Sequence, residues 1–204
     1  NTGEEVWRTD RSGEMNDNPE MKKAYGTPLV TSVGGREVLL SPAANWLYGY
    51  DTKTGEELWK VNYGILGFSI VSRPVVADEV VYFSTSFMKT ELLAVQLGPK
   101  VNTTPEILWR YRRSVPRMPS PVLVDDSVYL FGDKGIATCL DRHTGESRWT
   151  GRLGGSFSSS PLFADGKIYV GNHEGEMFVI QPGDALDILA KNEVIIDFSF
   201  SFNE

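Results

Sequence analysis

Cysteine and histidine are nearly missing from this chain. Its 204 residues include one cysteine, Cys139, and two histidines, His143 and His173. A lone cysteine excludes an internal disulfide and any cysteine-rich metal site, and two histidines exclude a multi-histidine centre. Basic residues are also in deficit: 20 Lys and Arg against 27 Asp and Glu give a formal charge of −7. That balance argues against a nucleic-acid partner, whose phosphates require a basic face. No run approaches the ~20 apolar residues of a membrane helix, and no apolar stretch follows a basic start as it does in a signal peptide. What is present is globular composition, 41% hydrophobic and 23% charged, in a chain long enough to hide roughly 70% of its unfolded surface without staples.

Internal repetition is the strongest positive signal. Thr2-Gly3-Glu4-Glu5-Val6-Trp7 returns as Thr54-Gly55-Glu56-Glu57-Leu58-Trp59 and as Thr144-Gly145-Glu146-Ser147-Arg148-Trp149, with a weaker copy ending at Trp109. Between these lie Thr27-Pro28-Leu29-Val30, Arg73-Pro74-Val75-Val76, Ser120-Pro121-Val122-Leu123 and Ser160-Pro161-Leu162-Phe163. The prolines are 46, 47 and 40 residues apart and the tryptophans 52, 50 and 40. Within each period, short β-branched and aromatic runs alternate with turns such as Asp165-Gly166, and no 3.6-residue apolar period is sustained. Four antiparallel strands per unit is the pattern of a propeller blade.

The chain is therefore expected to be all-β, with about four four-stranded antiparallel blades at approximately 26–62, 71–112, 118–152 and 158–191. Residues 1–9 read as the fourth strand of a preceding blade, and 192–204 as a tail or the start of a following one. In the recurring motif Thr-Gly turns the chain into the fourth strand, where the Trp four residues on can cover the glycine backbone of a neighbouring blade. Trp7, Trp59, Trp109, Trp149, Gly55 and Gly145 are read as this docking set. The last unit has lost its Trp and offers Leu189 instead.

The stretches Gly49-Tyr50-Asp51-Thr52-Lys53-Thr54-Gly55-Glu56-Glu57-Leu58-Trp59 and Cys139-Leu140-Asp141-Arg142-His143-Thr144-Gly145-Glu146-Ser147-Arg148-Trp149 resemble the tryptophan-docking repeat of quinoprotein-like β-propellers, the PQQ repeats. The resemblance covers nearly the whole chain. It implies an arc of a larger, seven- or eight-bladed propeller, closed by remaining blades or by a second copy. It extends to the propellers of outer-membrane barrel-assembly lipoproteins and implies an extracytoplasmic home, periplasmic or at the cell surface. For the dehydrogenases of the family it also implies pyrroloquinoline quinone and calcium. No cofactor is evident in the residues themselves: one cysteine cannot form the vicinal disulfide that commonly clamps the quinone, and no carboxylate cluster has calcium-loop spacing.

Candidate binding residues fall in the loops that join one blade to the next. Arg110-Tyr111-Arg112-Arg113-Ser114-Val115-Pro116-Arg117 is markedly basic for an acidic chain. Arg112, Arg113 and Arg117 are either forks for carboxylates or phosphates, or partners for the chain's own surplus acids. Phe68 and Phe157 sit in glycine-rich loops and are read as exposed members of a binding rim. His173 lies in a turn on the same side, as a ligand contact or as a plain turn residue. Cys139 reads as an inert core thiol. Two functions follow: a non-catalytic binding or scaffold module for a protein, peptide or small ligand, or an arc of a quinone-dependent alcohol or sugar dehydrogenase.

Overall fold

A computed structural model describes residues 2–98 and 103–193. In blade 1, β1 (Leu29–Val33), β2 (Arg36–Pro42), β3 (Trp46–Asp51) and β4 (Glu57–Asn62) pair in that order. A two-residue strand β5 (Gly67–Phe68) follows. Blade 2 comprises β6 (Val75–Ala77), β7 (Val80–Ser84), then, past an inserted β8 (Phe87–Met88), β9 (Leu92–Gln96) and β10 (Glu106–Tyr111). Blade 3 holds β11 (Val122–Val124), β12 (Ser127–Phe131), β13 (Ile136–Asp141) and β14 (Ser147–Arg152). Blade 4 holds β15 (Leu162–Ala164), β16 (Lys167–Gly171), β17 (Glu176–Gln181) and β18 (Asp187–Glu193). All four sheets are antiparallel meanders, and together they form an open arc of a β-propeller. Of the stretch 192–204 read above as a tail or following blade, residues 192 and 193 belong to β18, and 194–204 lie outside the described residues.

The hairpins follow from local chemistry. Gly34-Gly35, Asp78-Glu79 and Asp165-Gly166 have positive φ at both central positions, the turn whose twist matches the flanking strands. The third-to-fourth-strand turns are held by their aspartates. Asp51 Oδ1 accepts from the backbone of Lys53 and Thr54 at 2.9 and 2.8 Å, and Asp141 Oδ1 accepts from His143 and Thr144, each at 2.9 Å.

Blades stack through apolar faces. Val38, Leu40, Leu47 and Trp59 of blade 1 meet Val81, Phe83, Leu93 and Val95 of blade 2. Tyr82, Leu92 and Ala94 meet Val128, Leu130 and Leu140. Tyr129, Phe131 and Cys139 meet Ile168, Val170, Phe178 and Ile180. Each fully buried side chain of this size contributes roughly 1.5–3 kcal/mol, so the three junctions carry much of the fold. A hydroxyl ladder ties the innermost strands: Arg73 N–H donates to Ser120 Oγ at 2.9 Å, and Ser120 N–H to Ser160 Oγ at 3.0 Å.

Residues 2–10 pair with no strand among the described residues. They pass the third-to-fourth-strand turn of blade 1, where Trp7 Nε1–H donates to Thr52 O at 3.0 Å and Thr9 Oγ1–H to Gly55 O at 2.5 Å. The chain continues over the blade, where Tyr48 Oη donates to the Ser12 carbonyl at 2.7 Å and Trp46 Nε1 to that of Glu14 at 2.9 Å. The segment has no partner strands among the described residues, so side chains rather than a ladder hold it. In blade 4 the Trp position is taken by Ala190, not Leu189. Every blade has an irregularity that skips one residue of its fourth strand, and Gly49, Ala94, Cys139 and Val179 then face Trp59, Trp109, Trp149 and Ala190. Leu189 is the skipped residue and is 48% exposed.

Candidate functional site

The docking motif has a definite geometry. Trp109 of blade 2 reaches the blade 3 turn, where its Nε1–H donates to the Arg142 carbonyl at 3.1 Å. A methyl group on Gly145, which has φ of 74°, would lie 2.6 Å from the Trp109 ring. Trp7 does the same at blade 1: its Nε1–H donates to Thr52 O at 3.0 Å and its ring covers Gly55, at φ of 73°. Trp149 donates to the Gly183 carbonyl of blade 4 at 2.9 Å. Trp59 is buried against blade 2, and residues 99–102, between β9 and β10 in the sequence, are outside the described residues. Gly55 and Gly145 are thus required twice, by their φ and by the indole above them.

Charges support these turns from beneath. Asp51 is paired with Arg36, and Asp141 with Arg148 at 2.7 Å. The Thr54 backbone N–H and then Arg36 hold the Asp51 carboxyl well below the usual range. Arg148 and then the Thr144 N–H do so for Asp141. Burial pushes the Cys139 thiol up, away from the reactive thiolate.

The loops after each fourth strand and the turns between second and third strands share one end of the arc. They touch in sequence: Tyr63 N–H donates to Asn45 O, Leu153 N–H to Gly135 O, and His173 N–H to Ser156 O. This loop face is where the predicted site residues fall, and their fates differ. Phe157 is not a rim residue. It is fully buried between Phe131 and Phe178, with ring centroids 6.2 and 5.9 Å away. Phe68 is half-buried on β5, packed against Phe87 of β8 at 5.1 Å. His173 Nε2 lies 2.7 Å from Ser158 Oγ, which fastens its turn to the preceding loop. Arg112 is committed to the buried Glu91 at 2.8 Å, beside Arg110 at 3.3 Å. Arg117 stands 3.8 Å from Asp133, and its side chain is 57% exposed. Arg113 is exposed and meets no carboxylate among the described residues.

The sequence reading missed one construction on this face. β5 and β8 pair as a small two-stranded sheet, Gly67 opposite Met88 and Phe68 opposite Phe87. A 3-10 turn at Pro19–Lys22 and the bridge Ala24 to Ile70 brace it. Ile65, Phe87 and Met88 are 76%, 52% and 58% exposed. Beside them a cleft of about 340 Å³ is lined by Met15, Met21, Asn45, Ile65 and Phe68. Met88 sits at φ of 89°, an unfavourable conformation for a side chain of this kind. The sequence signal available was the length of the segment between Ser84 and Leu92, longer than the equivalent turn Gly132–Gly135.

The innermost strands line an open groove of about 870 Å³ whose one charged lining residue is Arg73, among Leu29, Val76, Leu123, Leu162 and Phe163. Calcium takes about six to eight oxygen ligands, largely carboxylates and carbonyls. No group of three or more His, Cys, Asp or Glu among the described residues is placed to hold a metal ion. These residues do not fit the quinone-and-calcium centre of the family's dehydrogenases.

Comparison with known proteins places the chain. A family model described as outer membrane protein assembly factor BamB matches residues 1–135 and 100–187. The outer membrane protein assembly factor BamB of Shewanella oneidensis is 32% identical over 119 residues, 57% of this chain and 27% of that protein. The crystal structure of BamB from Moraxella catarrhalis superposes with a TM-score of 0.58 at 18% identity, covering 86% of this chain and 49% of that one. Quinohemoprotein alcohol dehydrogenase from Comamonas testosteroni gives 0.58 at 15% identity, covering 78% and 34%. The two solved structures show the fold alone, and the chain spans about a quarter of the length of the curated relative. With the family model matching most of its residues, the chain belongs to the PQQ-repeat propeller family of the outer membrane protein assembly factor BamB.

Proposed function

We propose that this chain is a non-catalytic scaffold, part of an extracytoplasmic assembly factor, that holds a polypeptide partner on its loop face. One observation carries the reading. Ile65, Phe87 and Met88 stand exposed on and beside the β5–β8 sheet, which lies outside the four-stranded blades, next to a cleft lined by Met15, Met21, Ile65 and Phe68 together with Glu14 and three asparagines. Soluble proteins seldom leave contiguous apolar side chains in water unless something docks there. A braced platform loses little conformational freedom on binding. The relatives named as assembly factors supply the class of partner, a protein, and the compartment, outside the cytoplasm.

The test is site-specific photo-crosslinking in cells that make the full protein. A crosslinker replacing Phe87 is expected to give one discrete protein adduct, and one replacing Asp165 at the opposite end of the arc to give none. The Met88→Ser variant should reduce the Phe87 adduct while leaving the melting temperature unchanged. Equal adducts from both positions would overturn the proposal.

A further inference from the structure

The chain is acidic, yet its two ends are not alike. At the end opposite the loop face lie Asp78, Glu79, Asp125, Asp126, Asp165 and Asp184 in exposed turns. Most cations there are tied to a carboxylate, Arg36 to Asp51, Arg142 to Asp78 and Asp126, Arg148 to Asp141, and Lys167 to Asp165, and Lys53 alone among the described residues of these turns is exposed without one. The loop face of blades 2 to 4 is arranged the other way. Most of its acids are engaged, Glu193 at the end of β18 being exposed and without a cation partner among the described residues. Glu91 is enclosed by Arg110 and Arg112, Asp133 receives the Arg117 backbone N–H, and Glu174 accepts from the Ser156 N–H. Its cations are spare: Arg113, Lys134 and Arg152 are exposed and have no carboxylate partner among the described residues. Arg152 donates to the Lys134 carbonyl at 3.4 Å, which keeps these two together. A cleft of about 260 Å³ opens beside them, lined by Ser114, Val115, Arg117, Asp133 and Lys134.

From this split we infer that the loop face receives an acidic polypeptide segment, its apolar side chains on the β5–β8 platform and its carboxylates at Arg113, Arg117 and Lys134. The inference rests on the loop-face reading above and adds the chemistry of the occupant. Charge complementarity selects it: a basic segment would meet the unpaired cations Arg113, Lys134 and Arg152 here, whereas an acidic one meets forked and point donors that outnumber the one lining carboxylate, Asp133, which already faces Arg117. The strongly acidic far end repels the same segment, so the field of the whole molecule turns an acidic partner toward the loop face.

Two labelled peptides test it by fluorescence anisotropy on the purified chain, one interspersing aspartate and glutamate with leucine, the other carrying lysine at every acid. The acidic peptide is expected to bind, with affinity falling as salt rises, and the lysine peptide is not. The double variant Arg113→Glu, Lys134→Glu should weaken acidic-peptide binding about tenfold or more at an unchanged melting temperature. Equal binding of the two peptides, binding of neither, or indifference to the double variant each overturns the inference. Failure of the two readings is distinguishable. If Met88→Ser removes the cellular crosslink while the double variant leaves peptide binding intact, the loop-face scaffold stands and its acidic occupant falls. If the double variant weakens peptide binding and Met88→Ser leaves the crosslink unchanged, the apolar platform is the part that falls.

Discussion

The loops at 63–69 and 154–158 both set a phenylalanine among glycines and serines, and both join one blade to the next. Phe157 nevertheless sinks into the junction between blades 3 and 4, while Phe68 stays at the rim on a sheet of its own. Distance from the following proline explains the difference. Phe157 lies four residues before Pro161; the residue four before Pro74 is Ile70, which is fully buried. Phe68 comes two residues too early to reach that pocket. The turn across from it, lengthened by β8, meets it at the surface instead. A loop's composition is thus a poor guide to whether its aromatic packs or binds, and its register against a fixed anchor is a better one.

This contrast can be broken experimentally. Phe157→Ala should be the most damaging change, costing about 3–5 kcal/mol because a fully enclosed ring leaves a cavity, as read from urea unfolding. If Phe157→Ala melts like the parent, the ring is not a junction residue. Gly55→Ala should cost about 1–3 kcal/mol through its positive φ, more if the Trp7 indole is expelled, which tryptophan fluorescence would report. Acid should weaken both motif turns. Asp51 and Asp141 have folded pKa values below their unfolded ones, so their stabilisation is complete above about pH 4 and is lost as pH falls below it. Asp51→Asn should therefore flatten the acid limb of stability against pH. Phe68→Ser should be mildest, within about 1 kcal/mol, and should act on the partner crosslink instead.

How much of this was legible beforehand depended on whether a feature was local. Thr-Gly turns, Asp-Gly hairpins and alternating strands are set by residues near in sequence, and they led to four antiparallel sheets. The skipped residue in each fourth strand is a matter of pairing, so Leu189 was read in place of Ala190. The arginines of the 110–117 loop could be counted but not apportioned. Glu91, 19 and 21 residues from its two partners, takes Arg110 and Arg112 and leaves Arg113 free. The β5–β8 platform joins segments from two different loops, and no period or motif marks such a pairing.

The tryptophan contacts also have a direction. Trp7, Trp109 and Trp149 each reach forward to the turn of the following blade, so the junction is heterologous, and separate molecules could in principle repeat it head to tail into filaments. Two details described above work against that. Gly55, the receiving position of blade 1, is already covered by Trp7 of the same chain, and blade 4 carries Ala190 where a donated indole would start. At these two positions the indole-on-glycine contact is therefore not open to a second copy of the described arc.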